Sequence, residues 1–204
     1  MSILSEATSL ADVSDILARL PQPDAEAGAL ARQRQDSLTK PPGALGRLEE
    51  LAVFMASWQR SDRPAISMAQ ALVFAGNHGV CAQGVNPFPQ EVTAQMVLNF
   101  QAGGAAINQL CRAAGADLAV IALDLDTPTA DITRAPAMSE DETLAAMRQG
   151  AGAVSREADV LVLGEMGIGN STIAAALAHG AFGGPAADWV GRGTGSDDEG
   201  VRLK

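Results

Sequence analysis

The sequence predicts an α/β protein, a Rossmann-like parallel sheet flanked by helices, with a smaller helical region at the N-terminus. Three short apolar runs, at 71–76, 117–124 and 158–165, alternate with stretches long enough for helices. Strands that alternate with helices form parallel sheets through right-handed crossovers. Because the three runs are continuous rather than alternating, we expect strands that are buried on both faces.

The N-terminal part of the chain reads as helical. Segments 14–20 and 27–38 carry apolar residues at helical intervals, and the stretch TKPPG at 39–43 then interrupts the helical pattern. A third amphipathic helix is predicted over 44–58. Its expected apolar face consists of Leu45, Leu48, Leu51, Ala52 and Met55. We therefore divide the chain into a helical small-domain region, 1–65, and an α/β domain, 66–204.

Further helices are expected within 91–115, 141–158 and 171–181, between and after the strands. In an open parallel sheet, ligands bind outside the carboxyl ends of the strands. The residues just past those ends are Asn77 to Gly79, Asp124 to Asp126 and Glu165 to Asn170. The sequence therefore predicts that these polar residues meet at one edge of the sheet.

Composition and charge exclude several classes of protein. The formal net charge is −10, which argues against nucleic acid as a partner. No apolar run approaches the length of a membrane span, and the first residues lack a signal-peptide pattern, so we expect a cytoplasmic protein. Cys81 and Cys111 form no C-x-x-C motif, and His78 with Cys81 has no second pair of ligands at zinc spacing. We expect free thiols, no metal site and no cofactor.

The most specific segment is the glycine loop GEMGIGNS, which begins at residue 164. It nearly fits a P-loop, but Asn170 stands where the lysine belongs, and it nearly fits a dinucleotide loop, but Thr172 replaces the third glycine. What remains is a strand, a turn with Gly167 and Gly169, and a helix N-terminus with Ser171. That arrangement is typical of a site for one phosphate. The alternative is a glycine turn required only for close packing.

A carboxylate in such a loop is unexpected. At about 6 Å from a phosphate, Glu165 would cost roughly 3 kcal/mol per unit of phosphate charge at an effective dielectric constant near 20. The helix terminus contributes only about 0.3–1 kcal/mol, or about 2 in partly buried geometry. Glu165 is therefore expected to face ribose hydroxyls or a positive charge at a sugar, unless it is a solvated acid at the end of a strand.

A second motif spans residues 74–96. His78 lies between glycines after a strand and is either a turn-stabilising residue or a substrate contact. Downstream, Pro87 and Phe88 belong to the rigid loop NPFP, which suits an exposed aromatic ring that stacks on a flat apolar ligand, unless Phe88 fills the core. Gln95, in the next helix, could reach the same pocket.

A third motif is GRGTGSDDEG, at 191–200. Arg192 is flanked by glycine, so its guanidinium or the neighbouring N–H groups could meet a phosphate. Ser196 and Glu199 are spaced as a capping box that starts a helix. Because that helix would be very short when the chain stops at Lys204, we expect a truncated chain.

Together, the segments LTKPPGALGRLEELA, FAGNHGV, GVNPFPQEVTAQM, GEMGIGNST and GRGTG resemble one family. It is the nicotinate-nucleotide:dimethylbenzimidazole phosphoribosyltransferase family of cobalamin lower-ligand synthesis. The segments occur in the family's order over residues 38–195, and the chain resembles about the N-terminal three-fifths of the family's members.

The resemblance implies transfer of phosphoribose from nicotinate mononucleotide to 5,6-dimethylbenzimidazole. It implies a homodimer of a Rossmann-like nucleotide-binding domain and a smaller helical domain. Glu165 matches a glutamate near the nucleotide, and Lys204 matches an active-site lysine. The backbone of the two glycine segments matches the family's phosphate-binding backbone. The segment from Pro87 to Gln95 matches its benzimidazole pocket. The expected substrate-binding residues are Gly167, Gly169, Asn170, Ser171, Arg192, Gly193, Gly195, His78, Pro87, Phe88 and Gln95.

Departures from the family pattern are mild: Asn77 replaces an aspartate, Asn86 often appears as serine, and Ser171 replaces a frequent threonine. The family's general base, a glutamate, lies beyond the position of Lys204. A non-catalytic nucleotide-binding or regulatory module therefore remains an alternative. A P-loop-like phosphatase or kinase is a weaker one, because Asn170 stands in place of the lysine.

Overall fold

The structure, a computed structural model that describes residues 7–204, contains a three-stranded parallel sheet in the order β2-β1-β3. The strands are β1 (Ala69–Ala75), β2 (Ala116–Ala122) and β3 (Val160–Met166). Val73 in β1 aligns with Val120 in β2 and with Gly164 in β3, so the three carboxyl ends finish at one edge. The predicted α/β class and the parallel sheet are confirmed.

Helices precede, connect and follow the strands. The N-terminal helices are α1 (Leu10–Ala18), α2 (Ala25–Ser37) and α3 (Arg47–Gln59). Between β1 and β2 lie α4 (Val92–Gln101) and α5 (Ala106–Ala114), and between β2 and β3 lies α6 (Glu140–Ala153). After β3 come α7 (Asn170–Phe182) and α8 (Asp198–Leu203). Short 3₁₀ turns occupy Gly79–Gln83 and Ala186–Asp188.

The strands differ in burial. Ala71, Leu72, Val73 and Ala75 of β1 are buried, as their continuous apolar run predicts. In β3, by contrast, Val162 is 50% exposed and Leu163 is 67% exposed, and β2 is also only partly covered. The expectation that all three strands are buried on both faces is therefore wrong for β2 and β3. Among the described residues both are edge strands, and only β1 has a neighbour on each side.

The apolar face predicted for α3 is exposed at its three leucines, whereas Ala52 and Met55 are half-buried. Helices α2 and α3 pack against each other through Gly28, where an added Cβ would lie 2.4 Å from Ser57 Oγ and 3.8 Å from Val53 Cγ1. Ala56 is the buried residue of α3, whereas Leu48 and Leu51 are exposed. The interruption at TKPPG is confirmed, since no helix occurs between Leu38 and Gly46. Gly28 leaves room on the surface of α2 for Val53 and Ser57 of α3. Helix α3 therefore packs on α2 through the face that carries these residues, and not through the face that carries most of its leucines.

Helix α1 packs against α6 through a cluster formed by Ala7, Val13, Ile16 and Leu144. Helix α6 begins at a capping box: the Ser139 hydroxyl accepts from the Glu142 amide, and the Glu142 carboxylate accepts from the Ser139 amide at 2.6 Å. The cluster holds α1 against α6, and the Gln70 side chain of β1 joins the end of α6 to the sheet by donating to Ala153 O at 3.0 Å.

Two other predicted elements differ in detail. The segment 91–115 forms two helices, since the chain turns at Gly103, where φ is +79°. Asp197, not Ser196, caps α8: its carboxylate accepts from the Gly200 amide at 2.8 Å. Ser196 is instead buried, at 5% exposed.

Two aromatic pairs lie on the surface. Phe54 and Trp58 of α3 have ring centroids 6.2 Å apart, and Phe182 stacks on Trp189 at 5.7 Å. Among the residues that the structure describes, no helix is long and apolar enough to cross a membrane.

Candidate active site

Loops that follow the three strands meet at the carboxyl edge of the sheet. The Gly76 amide donates to Met166 O at 3.1 Å, which joins the end of β1 to the end of β3. The Asn77 side chain donates to Leu125 O at 2.8 Å, which joins the same loop to the segment after β2. The predicted convergence of the strand-end residues is therefore observed.

The glycine turn and the start of α7 form the centre of this edge. Gly169 is the N-cap of α7, at φ +93°, and no side chain caps the helix. The Asn170 amide donates to Gly167 O, and the Thr172 amide to Gly169 O. Within residues 7–204, the amides of Gly169 and Ser171 have no acceptor. Two N–H groups at the positive end of a helix dipole can therefore bind an anion.

Close packing also explains both glycines of the turn. A Cβ at Gly167 would lie 2.2 Å from Gly76 O and 2.4 Å from Asn170 Oδ1. A Cβ at Gly169 would lie 2.7 Å from Cys81 Sγ, in a backbone conformation that side chains disfavour. The glycines are thus needed for packing whether or not a phosphate binds. The anion-binding interpretation depends on the free amides rather than on the glycines.

Glu165, His78 and Asn170 are brought together above the turn. The Asn170 Nδ2 group donates to Glu165 Oε2. On the other side of the amide, Asn170 Oδ1 lies 2.6 Å from His78 Nε2. The predicted turn-stabilising hydrogen bond of His78 is therefore present, and it reaches across from the loop after β1 to the helix after β3. Glu165 itself is exposed at the carboxyl edge of the sheet.

Three residues at this edge were not predicted from the sequence. Thr93 is fully buried, and its hydroxyl accepts from the Ile168 amide at 3.0 Å. Gln90 donates to His78 O at 3.1 Å, and the Cys81 thiol donates to Ile168 O at 3.2 Å. Partial burial raises the pKa of the Cys81 thiol. A threonine within the helical pattern and a lone cysteine gave no distinctive sequence signal, although both lie within quoted motifs.

The loop NPFP lies beside the C-terminal glycine segment. Phe88 is 46% exposed, so the alternative in which it fills the core is wrong. Pro87 lines a cavity of about 260 Å³ with Gly195, Ser196 and their neighbours. Gln95 is exposed on α4. An exposed ring beside a cavity suits a flat apolar ligand.

The segment GRGTG lies over the start of α7. A Cβ at Gly193 would lie 2.6 Å from Ser171 Oγ and 3.3 Å from Lys204 Nζ, which brings these three residues together. Lys204 Nζ donates to Gly191 O at 3.3 Å and to Arg192 O at 3.4 Å. Partial burial lowers the pKa of the Lys204 ammonium. In this structure, Lys204 therefore holds the glycine segment.

The guanidinium of Arg192 already has partners within the C-terminal segment. It pairs with Asp198 and also donates to Ser196 O at 3.2 Å. A phosphate contact by the guanidinium would have to compete with Asp198, so that role stays a prediction. Within the described part of the chain, no group of three or more His, Cys, Asp or Glu residues could hold a metal ion.

A second cavity, of about 330 Å³, lies beneath the C-terminal segment and is lined by Val80, Thr172, Val190 and Lys204, among others. Thr172 is 6% exposed, and its hydroxyl has no hydrogen-bond partner among the described residues.

A parallel sheet with a glycine turn and free helix amides at its carboxyl edge defines an α/β protein of the type that binds ligands at strand ends. The profile of the phosphoribosyltransferase family matches residues 20–204. The chain belongs to this family, which confirms the resemblance.

Named relatives agree with this assignment. The nicotinate-nucleotide–dimethylbenzimidazole phosphoribosyltransferase of Rhodobacter capsulatus is 65% identical over 196 residues, which cover 96% of this chain and 59% of the relative. That of Ruegeria pomeroyi is 60% identical over 202 residues, which cover 99% of this chain and 60% of the relative. The chain thus spans about three-fifths of the length of these relatives.

Solved structures agree on the fold. A crystal structure of CobT from Thermus thermophilus matches with a TM-score of 0.77 and 43% identity, over 87% of this chain and 59% of that one. A structure of nicotinate-nucleotide-dimethylbenzimidazole phosphoribosyltransferase from the same organism matches with a TM-score of 0.75 and 40% identity, over 88% of this chain and 59% of that one.

Proposed function

We propose that the protein transfers phosphoribose from nicotinate mononucleotide to 5,6-dimethylbenzimidazole, which gives α-ribazole 5′-phosphate and nicotinate for cobalamin synthesis. The observation that carries the proposal is the pairing of an exposed carboxylate, Glu165, with the unpaired amides of Gly169 and Ser171 on one turn. The names of the relatives at 65% and 60% identity support the same reaction.

The two parts of the turn have different targets on one substrate. The amides of Gly169 and Ser171 bind the 5′-phosphate, aided by the helix dipole of α7. Glu165 faces the sugar, where breaking the glycosidic bond builds up positive charge of the oxocarbenium type. A carboxylate placed there stabilises the transition state more than the ground state, which is the condition for catalysis.

The remaining candidate residues serve the second substrate and the rim of the site. Phe88, exposed on the NPFP loop beside the Pro87 cavity, stacks on the benzimidazole. Gln95 is assigned to the same pocket by resemblance. Gly193, Gly195 and Lys204 close the phosphate side. A general base removes the benzimidazole proton, and such a base typically raises the reaction rate by about 10²–10⁴-fold. By resemblance, the family's general base is a glutamate that lies beyond the position of Lys204.

We propose the same domain division that the sequence predicts, with a helical region at 1–65 and a nucleotide-binding domain at 66–204. We also propose that the protein works as a homodimer. Exposed apolar side chains support an assembly, because Leu163 is 67% exposed and Phe182 is 78% exposed.

The test is a product assay on the protein expressed from its complete gene. With nicotinate mononucleotide and 5,6-dimethylbenzimidazole, we expect nicotinate and α-ribazole 5′-phosphate in equal amounts, and no nicotinate when the benzimidazole is omitted. Tight nucleotide binding without product would favour the non-catalytic alternative. Neither binding nor product would exclude both.

A further inference from the structure

Asn170 uses both ends of its amide to connect two residues from different loops. Its Nδ2 donates to Glu165 Oε2, and its Oδ1 lies 2.6 Å from His78 Nε2. An amide can satisfy both partners in one orientation only, since its oxygen accepts and its nitrogen donates. His78 must therefore carry its proton on Nε2, and the amide cannot flip without breaking both contacts.

The histidine is held in place from its other side. Its carbonyl accepts from Gln90 Nε2 at 3.1 Å and from the Cys81 amide at 3.1 Å. The next residue, Gly79, donates its amide to Thr129 O at 2.9 Å. Segments after β1 and β2 and the approach to α4 thus fix the backbone that presents the imidazole, although none of these bonds involves the ring.

The turn also leaves space for the amide. A side chain at Gly167 would place its Cβ 2.4 Å from Asn170 Oδ1, so a bare glycine is required for the asparagine to reach His78. One oxygen of Glu165 is bound by this chain of hydrogen bonds, and the other oxygen is left for a ligand. The structure thus holds the carboxylate in one rotamer before substrate arrives.

We infer that His78 and Asn170 are positioning residues that aim the Glu165 carboxylate at the substrate sugar, and that they do not themselves bind substrate. The inference rests on the proposed transferase function. It replaces the substrate contacts that the sequence predicted for both side chains. A misplacement of about 1 Å at a reacting centre can cost about 100-fold in rate, so the chain of hydrogen bonds has a measurable effect.

The decisive experiment is a double-mutant cycle on the protein expressed from its complete gene. His78→Ala and Asn170→Ala should each lower kcat by up to about 100-fold, with little change in KM for nicotinate mononucleotide. In a Glu165→Gln background, neither substitution should lower kcat much further, because both act through that carboxylate. His78→Gln, which retains an N–H donor, should restore part of the rate.

Controls separate the possible outcomes. His179→Gln changes the chain's other histidine, which lies on α7, and should leave kcat unchanged. Losses that multiply in the Glu165→Gln background, or that appear mainly in KM, would overturn the inference, because they indicate direct substrate contacts. An inactive wild-type protein would instead contradict the proposed function.

A readout without turnover keeps the inference testable in that case. Nitrogen chemical shifts of the His78 imidazole should report a proton on Nε2 in the wild type. They should change in Asn170→Ala but not in Glu157→Gln, which alters an exposed glutamate before β3. An Nδ1–H tautomer in the wild type would contradict the hydrogen-bond chain and overturn the inference.

Discussion

The exposed carboxylate of Glu165 and the free amides of Gly169 and Ser171 belong to one turn, but we expect them to bind different parts of one substrate. Such a separation would remove the apparent conflict between an acidic side chain and a phosphate site. The amides at the start of α7 are assigned to the phosphate, whereas Glu165, whose Oε2 is held by the Asn170 side chain, is assigned to the sugar through its other oxygen. Substitutions on the two sides should therefore have different kinetic signatures.

Glu165→Gln should lower turnover by about 100-fold or more while nicotinate mononucleotide still binds, because a transition-state charge is lost and the helix amides remain. Calorimetry gives the affinity, and a product assay gives kcat. Glu157→Gln is the matched control. A large loss of nucleotide affinity with unchanged turnover would contradict the assignment.

Gly169 gives a residue-scale test of packing. Gly169→Ala should destabilise the protein, by about 1–2 kcal/mol for the left-handed backbone and further because its Cβ would lie 2.7 Å from Cys81 Sγ. Combining it with Cys81→Ala should recover the steric part only, which thermal unfolding of the four variants measures. If the stability changes of the two single variants simply add in the double variant, the thiol moves aside without cost.

The larger Gly169→Val substitution has a second expected effect. It should weaken nucleotide binding more than benzimidazole binding, since a β-branched side chain blocks the approach of phosphate to the backbone. Equal losses of both affinities, measured by calorimetry, would show that the turn has a purely structural role.

Among the elements, α6 begins at a complete capping box. Ser139→Ala removes the hydroxyl that accepts from the Glu142 amide and should lower the free energy of unfolding by about 1 kcal/mol. Ser14→Ala, at an exposed site on α1, is the control. Urea titrations at neutral pH compare the two variants, and equal midpoints would show that the cap adds nothing.

The same cap predicts a dependence on pH. Hydrogen bonds from the Ser139 amide and hydroxyl lower the pKa of Glu142. A lowered pKa in the folded state contributes stability above the ordinary value, and this contribution is lost as the pH falls through the folded-state value. The difference between wild type and Ser139→Ala should therefore shrink below about pH 4.

At this scale, the sequence predicts which elements exist better than which faces they bury. The three apolar runs predict the strands, and their alternation with helices predicts the parallel arrangement, although only β1 is buried as expected. The face of α3 could not be predicted, since it depends on the glycine surface of α2. The cap of α8 differs by one residue from the expected one because two adjacent residues, Ser196 and Asp197, can both cap a helix.

For the site, the strand-end rule correctly predicts that Asn77, His78, Glu165 and Asn170 meet at one edge. It does not predict which of them bond to one another, because that depends on side-chain rotamers and on loops that approach from a distance. Thr93 shows the same limit. Nothing in the helical pattern reveals that its hydroxyl receives the Ile168 amide.

For the whole molecule, the exposed apolar side chains of the edge strand β3 and of α7 are the main feature. Val162, Leu163, Leu177 and Phe182 are all at least half exposed. We expect a chain of residues 1–204 to self-associate through the uncovered edge of β3 and the exposed apolar side chains, and to show little or no transferase activity. Leu163→Gln should reduce self-association in sedimentation experiments, whereas Leu110→Gln on α5 should not. Turnover comparable to that of the protein from the complete gene would place the general base within these residues, with Glu165 the first candidate.

The two surface aromatic pairs have a spectroscopic consequence. The chain contains two tryptophans and no tyrosine. Trp58 lies beside Phe54 in the helical region, and Trp189 stacks on Phe182 in the α/β part. Trp58→Phe leaves Trp189 as the only tryptophan, so its fluorescence reports on the α/β side of the proposed boundary at residue 65. Trp189→Phe leaves Trp58, which reports on the helical side. If the two emission signals change at one urea concentration, the regions unfold as a single cooperative unit; two separate midpoints would make them independent domains.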